Sequence, residues 1–292
     1  MPKESQIFKK IYQKRKKTAK KYDFGLLLVI GGSKFYSGSP AFSAMSAFKA
    51  GVDMVHILAP ERSANIIASF SPNLATYPLK GDFISPEHLP LLFSITEKAQ
   101  EVAPKKVTVV IGGGIGREKE TQKAIVEYLS EISLPAVIDA DAIYAISQKR
   151  EAIKNKNFLI TPHSFEFFAL SQENVYNLSL KEKIKKVKEV AGKLRTTILL
   201  KGAVDIVSDG KEVLINKTGN PFLTVGGTGD TLAGIAGAFL CRGVTPLEAG
   251  FGASYLNGLA GELASKKLGE SLLATDLIEA IPKVLKTKIL KL

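Results

Sequence analysis

Val107-Thr-Val-Val-Ile-Gly-Gly-Gly-Ile-Gly116 sets the frame for the whole chain. Its first five residues form an apolar, β-branched run without polar alternation, which reads as a strand covered on both faces. The glycines that follow allow backbone to approach a ligand closely. The same order recurs at four other places. Leu26–Ile30 runs into Gly31-Gly32-Ser33, Ala136–Ile138 into Asp139-Ala140-Asp141, Phe158–Ile160 into Thr161-Pro162-His163, and Thr197–Leu200 into Lys201-Gly202. Met54–Leu58 and Leu74–Tyr77 read as further strands. Asp205–Ser208 and Glu212–Ile215, around Asp209-Gly210, read as a hairpin. Helical patterns fill the intervals at Ala41–Ala50, Glu61–Ser69, Glu118–Leu129, Leu180–Leu194, Thr228–Leu240, Pro246–Leu263 and Ala274–Ile281. Buried strands alternating with helices predict an α/β protein of three layers, α/β/α, around a central, mainly parallel sheet. Ligands of such sheets bind outside the carboxyl ends of the strands. The five polar clusters are therefore expected to converge, far apart though they lie in sequence.

The chain has 292 residues, of which 45% are hydrophobic, enough for one large α/β core. No apolar run reaches the roughly 18 residues of a membrane span, so no membrane is expected as a partner. No apolar segment follows the basic N-terminus, so no secretory signal is expected. Cys241 is the only cysteine, which excludes an intramolecular disulfide, fits a cytoplasmic setting, and reads as a packing residue. Of the net charge of +12, residues 1–22 carry +8, with nine Lys or Arg against Glu4. These residues are set apart as a basic, helical tail, leaving 23–292 as one domain. A basic tail can bind nucleic acid, but no base-stacking aromatic pattern accompanies the charge, which argues against it. Ile7, Phe8, Ile11 and Tyr12 form an apolar stripe at helical spacing, which favours docking over disorder.

Gly226-Gly227-Thr228-Gly229-Asp230 stands at the start of an Ala/Gly-rich helix. Unpaired N–H groups and the helix dipole attract anions there, so Gly227, Thr228 and Gly229 are expected to form an anion hole. An Asp in a first helical turn can serve only to complement the dipole. That explanation leaves the neighbouring glycines and Thr228 unaccounted for. No Lys-Ser/Thr pair follows the glycines, so this is not a Walker loop. A carboxylate beside bound phosphate has one direct use, accepting a proton from a hydroxyl that attacks phosphorus. Asp230 is thus the candidate catalytic base. Gly112–Gly116 lacks the closing x-x-G of a dinucleotide fingerprint and is read as a close approach to substrate. Lys201-Gly202-Ala203-Val204-Asp205, at a strand end, is a candidate nucleotide contact. His163 is weighed evenly between a structural and a substrate-contacting role. Three scattered histidines and one cysteine predict no metal site of protein ligands alone, while Mg2+ held mainly by phosphates remains compatible.

Together these motifs resemble the ribokinase-like superfamily and, within it, the ADP/ATP-dependent NAD(P)H-hydrate dehydratases. The likeness runs from about residue 24 to 285. It is carried by Gly31-Gly32-Ser33, Tyr36-Ser37-Gly38-Ser39-Pro40, Gly112–Gly116, Asp139-Ala140-Asp141, Thr161-Pro162-His163, Lys201-Gly202-Ala203 and Thr218-Gly219-Asn220-Pro221 leading to Gly226–Asp230. The resemblance implies that hydrated NADH or NADPH (the S epimer) is phosphorylated on its ring hydroxyl by ADP or ATP and then loses phosphate. It implies substrate contacts at Ser39, Gly116, His163, Asn220 and Asp230, and nucleotide contacts at Lys201, Gly202, Ala203, Val204, Asp205 and Gly229. It also implies a homo-oligomer, with a tetramer favoured. Ser39, Gly113, Phe165 and Phe222 replace the residues usual at those positions. The epimerase domain that many relatives carry before this segment is expected to be absent. Two other readings differ in what they require. A ribokinase-like kinase of a vitamin-precursor alcohol needs Asp230 but no dinucleotide pocket, and a non-catalytic nucleotide- or nucleic-acid-binding protein needs the tail but not Asp230.

Overall fold

The computed structural model describes residues 3–291. Its strands are β1 (Leu26–Ile30), β2 (Met54–Pro60), β3 (Ala75–Leu79), β4 (Val107–Ile111), β5 (Ala136–Ile138), β6 (Phe158–Ile160), β7 (Thr197–Leu200), β8 (Asp205–Ser208) and β9 (Val213–Asn216). They form a single sheet in the order β3-β2-β1-β4-β5-β6-β7-β8-β9. Every pairing from β3 across to β7 is parallel, and β7-β8-β9 is an antiparallel edge. From β1 the chain builds outward through β2 and β3, then returns to β4 on the other side and continues from there. The crevice between β1 and β4 is therefore the switch point at which an open α/β sheet binds its ligands.

The helices are α1 (Lys3–Ile11), α2 (Gly38–Lys49), α3 (Glu61–Phe70), α4 (Leu89–Val102), α5 (Lys119–Glu131), α6 (Asp141–Gln148), α7 (Ser164–Ser171), α8 (Leu180–Leu194), α9 (Thr228–Cys241), α10 (Pro246–Leu268) and α11 (Ala274–Val284). Alternate residues of the central strands sort into two cores. Leu27 and Val29 pack with α1, α2, α3, α9, α10 and α11, while Leu26, Leu28 and Ile30 pack with α4 to α8. Helix α9 lies hard against the sheet because its glycines permit it. A Cβ at Gly234 would stand 2.0 Å from the Ser43 carbonyl, and one at Gly237 would stand 2.5 Å from Val110 Cγ2.

The three-layer α/β/α architecture matches the expectation from sequence, and the differences are local. The second helix starts at Gly38 rather than Ala41, and α10 continues to Leu268. The hairpin's second strand is Val213–Asn216, one residue later than expected, because Asp209 Oδ1 accepts the N–H groups of both Lys211 and Glu212 and lengthens the turn. Helices α4, α6 and α7 add to the expected set. The apolar stripe of the tail is used within the chain: Ile7, Phe8 and Ile11 are buried in the core of α9 and α10. The Phe8 ring meets Phe239 edge-on at 6.2 Å and Tyr255 at 5.7 Å. Cys241 is buried, and its thiol faces the Leu26 carbonyl.

Candidate active site

The carboxyl ends of β1, β4, β5, β6 and β7 lie side by side, and their polar clusters touch. Gly32 N–H donates to the Gly113 carbonyl at 2.8 Å, joining the loops after β1 and β4. Lys201 N–H donates to the Pro162 carbonyl at 2.8 Å, joining those after β7 and β6. Thr161 Oγ1 and Lys201 Nζ each donate to Asp139 Oδ1 at 2.7 Å, tying the end of β5 to those of β6 and β7.

Helix α9 brings its first turn into this cluster. Its N-cap, Gly227, has φ +95°, a left-handed conformation that glycine adopts at little cost, and a Cβ there would stand 2.7 Å from the Phe42 ring. The N–H groups of the first turn, those of Thr228, Gly229 and Asp230, have no acceptor within the helix. The Thr228 hydroxyl is turned away, donating to the carbonyls of Leu223 and Val225, so the candidate anion cradle consists of backbone. Asn257 of α10 donates to the Thr228 carbonyl and accepts from Thr231 Oγ1, which fixes the helix start. Lys201 Nζ lies within 3.5 Å of the position a Cβ at Gly229 would take, so an ammonium group overhangs the cradle.

Asp230 stands where the loops meet. Ser39, in the first turn of α2, hydrogen-bonds its carboxylate, and Ser43 Oγ donates to its carbonyl. A Cβ on Gly113 would be 2.7 Å from Asp230 Oδ1 and 3.0 Å from Ser39 Cβ. Burial, with Asp139 adding like-charge repulsion, pushes the Asp230 pKa up to about 7. A base with a pKa near neutrality combines a large ionised fraction with real proton affinity.

Around Lys201 the site holds two acids that sequence reasoning did not name as site residues. Asp139 is 3% exposed and Glu166 5%. Lys201 Nζ is 2.7 Å from Asp139 Oδ1 and 3.8 Å from Glu166 Oε2. Burial works against the Lys201 charge, but Asp139 and Glu166 outweigh it, and the pKa is raised. Burial also pushes Glu166 up to about 7, against the pull of Lys201. Asp139 ends a strand in one of the five clusters, so its signal was in the sequence. Glu166 was visible only as the third residue after His163.

His163 is the N-cap of α7. Its Nδ1 accepts from the N–H groups of Phe165 and Glu166 at 3.1 and 3.3 Å, and its own N–H donates to Glu166 Oε2. With Nδ1 an acceptor, the ring proton resides on Nε2, which faces Glu166 Oε1 at 3.2 Å. Burial and the Lys201 charge lower its pKa, in keeping with a neutral ring. Gly116 has φ +81°, and its N–H is directed to Asp141 Oδ2.

The remaining candidates shape loops. Asp205 accepts from Gly202 N–H and Asn216 Nδ2, closing the turn Lys201–Asp205 so that Gly202, Ala203 and Val204 present backbone. Asn220 donates to Ser265 Oγ at 2.7 Å and accepts from Phe222 N–H, so its side chain anchors the loop that leads into α9. Among the described residues, no group of three or more His, Cys, Asp or Glu is arranged to hold a metal ion.

Comparison with known proteins follows the same lines. Residues 27–283 match the family model described as NAD(P)H-hydrate dehydratase. The chain is 42% identical over 274 residues to a bifunctional NAD(P)H-hydrate repair enzyme of Pyrobaculum aerophilum, covering 93% of this chain and 52% of that protein. It thus spans about half the length of the bifunctional relatives. It is 34% identical over 279 residues to the ADP-dependent (S)-NAD(P)H-hydrate dehydratase of Cenarchaeum symbiosum, covering 95% of this chain and 94% of the other. A ribokinase-like superfamily protein from Enterococcus faecalis superposes with a TM-score of 0.82 at 26% identity, covering 97% of this chain and 94% of its own. With its ribokinase-like fold, and with its strand-end motifs gathered around Asp230, the chain belongs to the NAD(P)H-hydrate dehydratase family.

Proposed function

We propose that the protein is a hydro-lyase that returns the hydrated S epimer of NADH or NADPH to the intact dinucleotide, with ADP as phosphoryl donor. The observation that carries this reading is the Asp230 carboxylate, with its pKa near neutrality, set between the open helix start of α9 and the Ser39–Gly113 wall. The choice of ADP over ATP rests on the name of the Cenarchaeum relative. The nucleotide's phosphates lie on the N–H groups of Gly227, Thr228 and Gly229, with Lys201 above them and the turn Gly202–Asp205 alongside. The substrate's ring lies against Ser39 and Gly113, with Gly116, His163 and the Asn220 loop at its borders. Asp230 takes the proton of the ring hydroxyl as the hydroxyl oxygen attacks the terminal phosphorus of ADP, breaking its bridging P–O bond and releasing AMP. The cradle and Lys201 stabilise the charge that develops on the transferring group. Loss of phosphate together with the neighbouring ring proton then restores the double bond, so the net change is loss of water.

Magnesium fits the same site as a companion of the nucleotide. Asp139 and Glu166 supply two buried carboxylates beside the phosphate cradle, and Mg2+ is commonly held by one or two carboxylates plus substrate phosphates. Such an ion would offset phosphate charge.

Every residue of this site lies within 23–292, which supports treating residues 1–22 as a separate segment, whose helix α1 packs on α9 and α10. We further infer a homo-oligomer, with a tetramer favoured, for which the exposed rings of Phe35, Tyr36, Phe165, Phe168 and Tyr176 offer apolar surface. Light scattering tests this. A cytoplasmic location is supported by the single, buried cysteine. Among the described residues no helix is long and apolar enough to cross a membrane.

The deciding experiment supplies hydrated NADH with ADP, or with ATP, and follows the near-ultraviolet absorbance of the dihydronicotinamide ring. Regain of absorbance supports the dehydratase. Its failure, with turnover of a hydroxyethylthiazole or hydroxymethylpyrimidine, would establish the vitamin-precursor kinase instead.

A further inference from the structure

Gly116 and His163 lead toward Arg117. Gly116 precedes it in the chain, and among the causes lowering the His163 pKa, behind burial and Lys201, is the Arg117 charge. Arg117 is held in place. Its Nε donates to Asp141 Oδ1 at 2.8 Å, its guanidinium lies 3.6 Å from the centre of the Tyr144 ring, and its carbonyl accepts from Gln122 Nε2. From Arg117 a groove of ≈ 910 Å³ runs along α5, with Gln148 at the end of α6 on its border. Lys119 and Lys123, one helical turn apart on α5, and Lys149 beyond the end of α6 line it. Among the described residues none of these three lysines has a carboxylate partner. Glu127 and Glu131 also line the groove, further along α5.

A dinucleotide whose ring end rests against Asp230 and Ser39 is longer than the site described above. Its course past Gly116 and His163 leads to Arg117. A fixed guanidinium fork suits a pyrophosphate. The groove beyond is of the size that holds a nucleoside-sized ligand. Three unpaired ammonium groups are more than an uncharged adenosine needs, and they suit a phosphomonoester. We propose that the groove along α5 receives the adenosine end of the dinucleotide, and that Lys119, Lys123 and Lys149 favour the form carrying an extra phosphate on its ribose. The proposal rests on the dehydratase reading of the site.

The double variant Lys123→Ala/Lys149→Ala tests it with both hydrated dinucleotides. The expected result is a rise of about tenfold in KM for the form with the ribose phosphate, against less than about twofold for the form without it. In the unaltered protein this preference should shrink as salt is raised. An equal change in KM for both substrates, or no change, overturns the proposal. If the unaltered protein regenerates neither dinucleotide, the dehydratase reading itself falls, and the groove is judged by calorimetric titration with adenosine 2′,5′-bisphosphate. Saturable binding that weakens about tenfold in the double variant supports the groove as a phosphate site. Absent binding, or binding that the variant retains in full, removes it.

Discussion

Replacing Asp230 with Asn should abolish chemistry, spare nucleotide binding and stabilise the empty protein above neutral pH. The stability effect follows from linkage. The carboxyl's pKa is raised from 3.8 to about 7 in the fold. Below the unfolded value both states hold the proton, and the group contributes nothing. As pH rises toward about 7 the unfolded chain ionises while the folded protein keeps its proton, so stability falls, and above about 7 the penalty is complete. At 1.36 kcal/mol per pKa unit the ceiling is about 4 kcal/mol, and relaxation around the ionised group brings the expected gain from Asn nearer 2 kcal/mol. For a chain of this size each kcal/mol moves the thermal midpoint by about 2–4 °C. The variant should therefore melt several degrees higher than the unaltered protein at pH about 8 and at nearly the same temperature at pH about 4. Activity should move the other way. Removing a positioned general base costs about 10²–10⁴ in kcat. The α9 cradle and Lys201 remain, so ADP should bind within a few-fold of its original affinity, as read by calorimetry. In the unaltered enzyme kcat/KM should rise with pH through an acid limb near 7, the form expected of a base that must be ionised. A variant that keeps kcat within about tenfold, or that gains no stability at the higher pH, would refute the assignment of Asp230 as a buried base.

Lys201→Met removes the ammonium above the cradle and leaves Asp139 and Glu166 without their cation; the KM for ADP should rise about 10–100-fold, consistent with about 1.5–3 kcal/mol for a hydrogen bond to a charged group. His163 carries two roles that substitution separates: Ala should lose the cap of α7, about 1 kcal/mol, and raise the KM for the hydrate, whereas Asn, itself a good cap, should restore the melting temperature without restoring KM. Phe8→Ala empties a position that is 2% exposed between Phe239 and Tyr255 and should cost about 3–5 kcal/mol in denaturant titration, with kcat in the surviving folded fraction unchanged.

What could be read from sequence, and what could not, divides along physical lines. Strands β1, β4, β5, β6 and β7 were legible to the residue because a strand buried on both faces leaves an uninterrupted apolar run. Helix α7 was not, since its cap is His163, a residue outside the usual Ser, Thr, Asp and Asn set. Helix α6 begins after Ala140 at φ +49°, a conformation that no local pattern announces. Helix α4 carries its proline at the second position, where Pro suits a helix start but also reads as a break. The helix start proposed as an anion cradle, Gly227–Gly229, is local and was therefore visible. The contacts that perturb the site were not, because they join residues distant in the chain: Lys201 with Asp139, and Asp230 with Ser39 and Asp139.

Those distant contacts give the site its character. Lysine on its own is a flexible point charge that prefers water. Here Asp139 Oδ1, itself fixed by Thr161, holds the Lys201 ammonium at 2.7 Å over the start of α9. Asp139 is thus a positioning residue, and its charge has a second effect. It repels the Asp230 carboxylate and helps to raise its proton affinity. In the proposed mechanism, one buried acid therefore both fixes the cation assigned to the phosphates and strengthens the base assigned to the hydroxyl. Both effects require β5 to lie between β4, whose loop abuts Asp230, and β6 with β7, which supply Thr161 and Lys201. The geometry of the candidate site is in that sense a property of strand order, with its residues assembled along the carboxyl edge of the sheet.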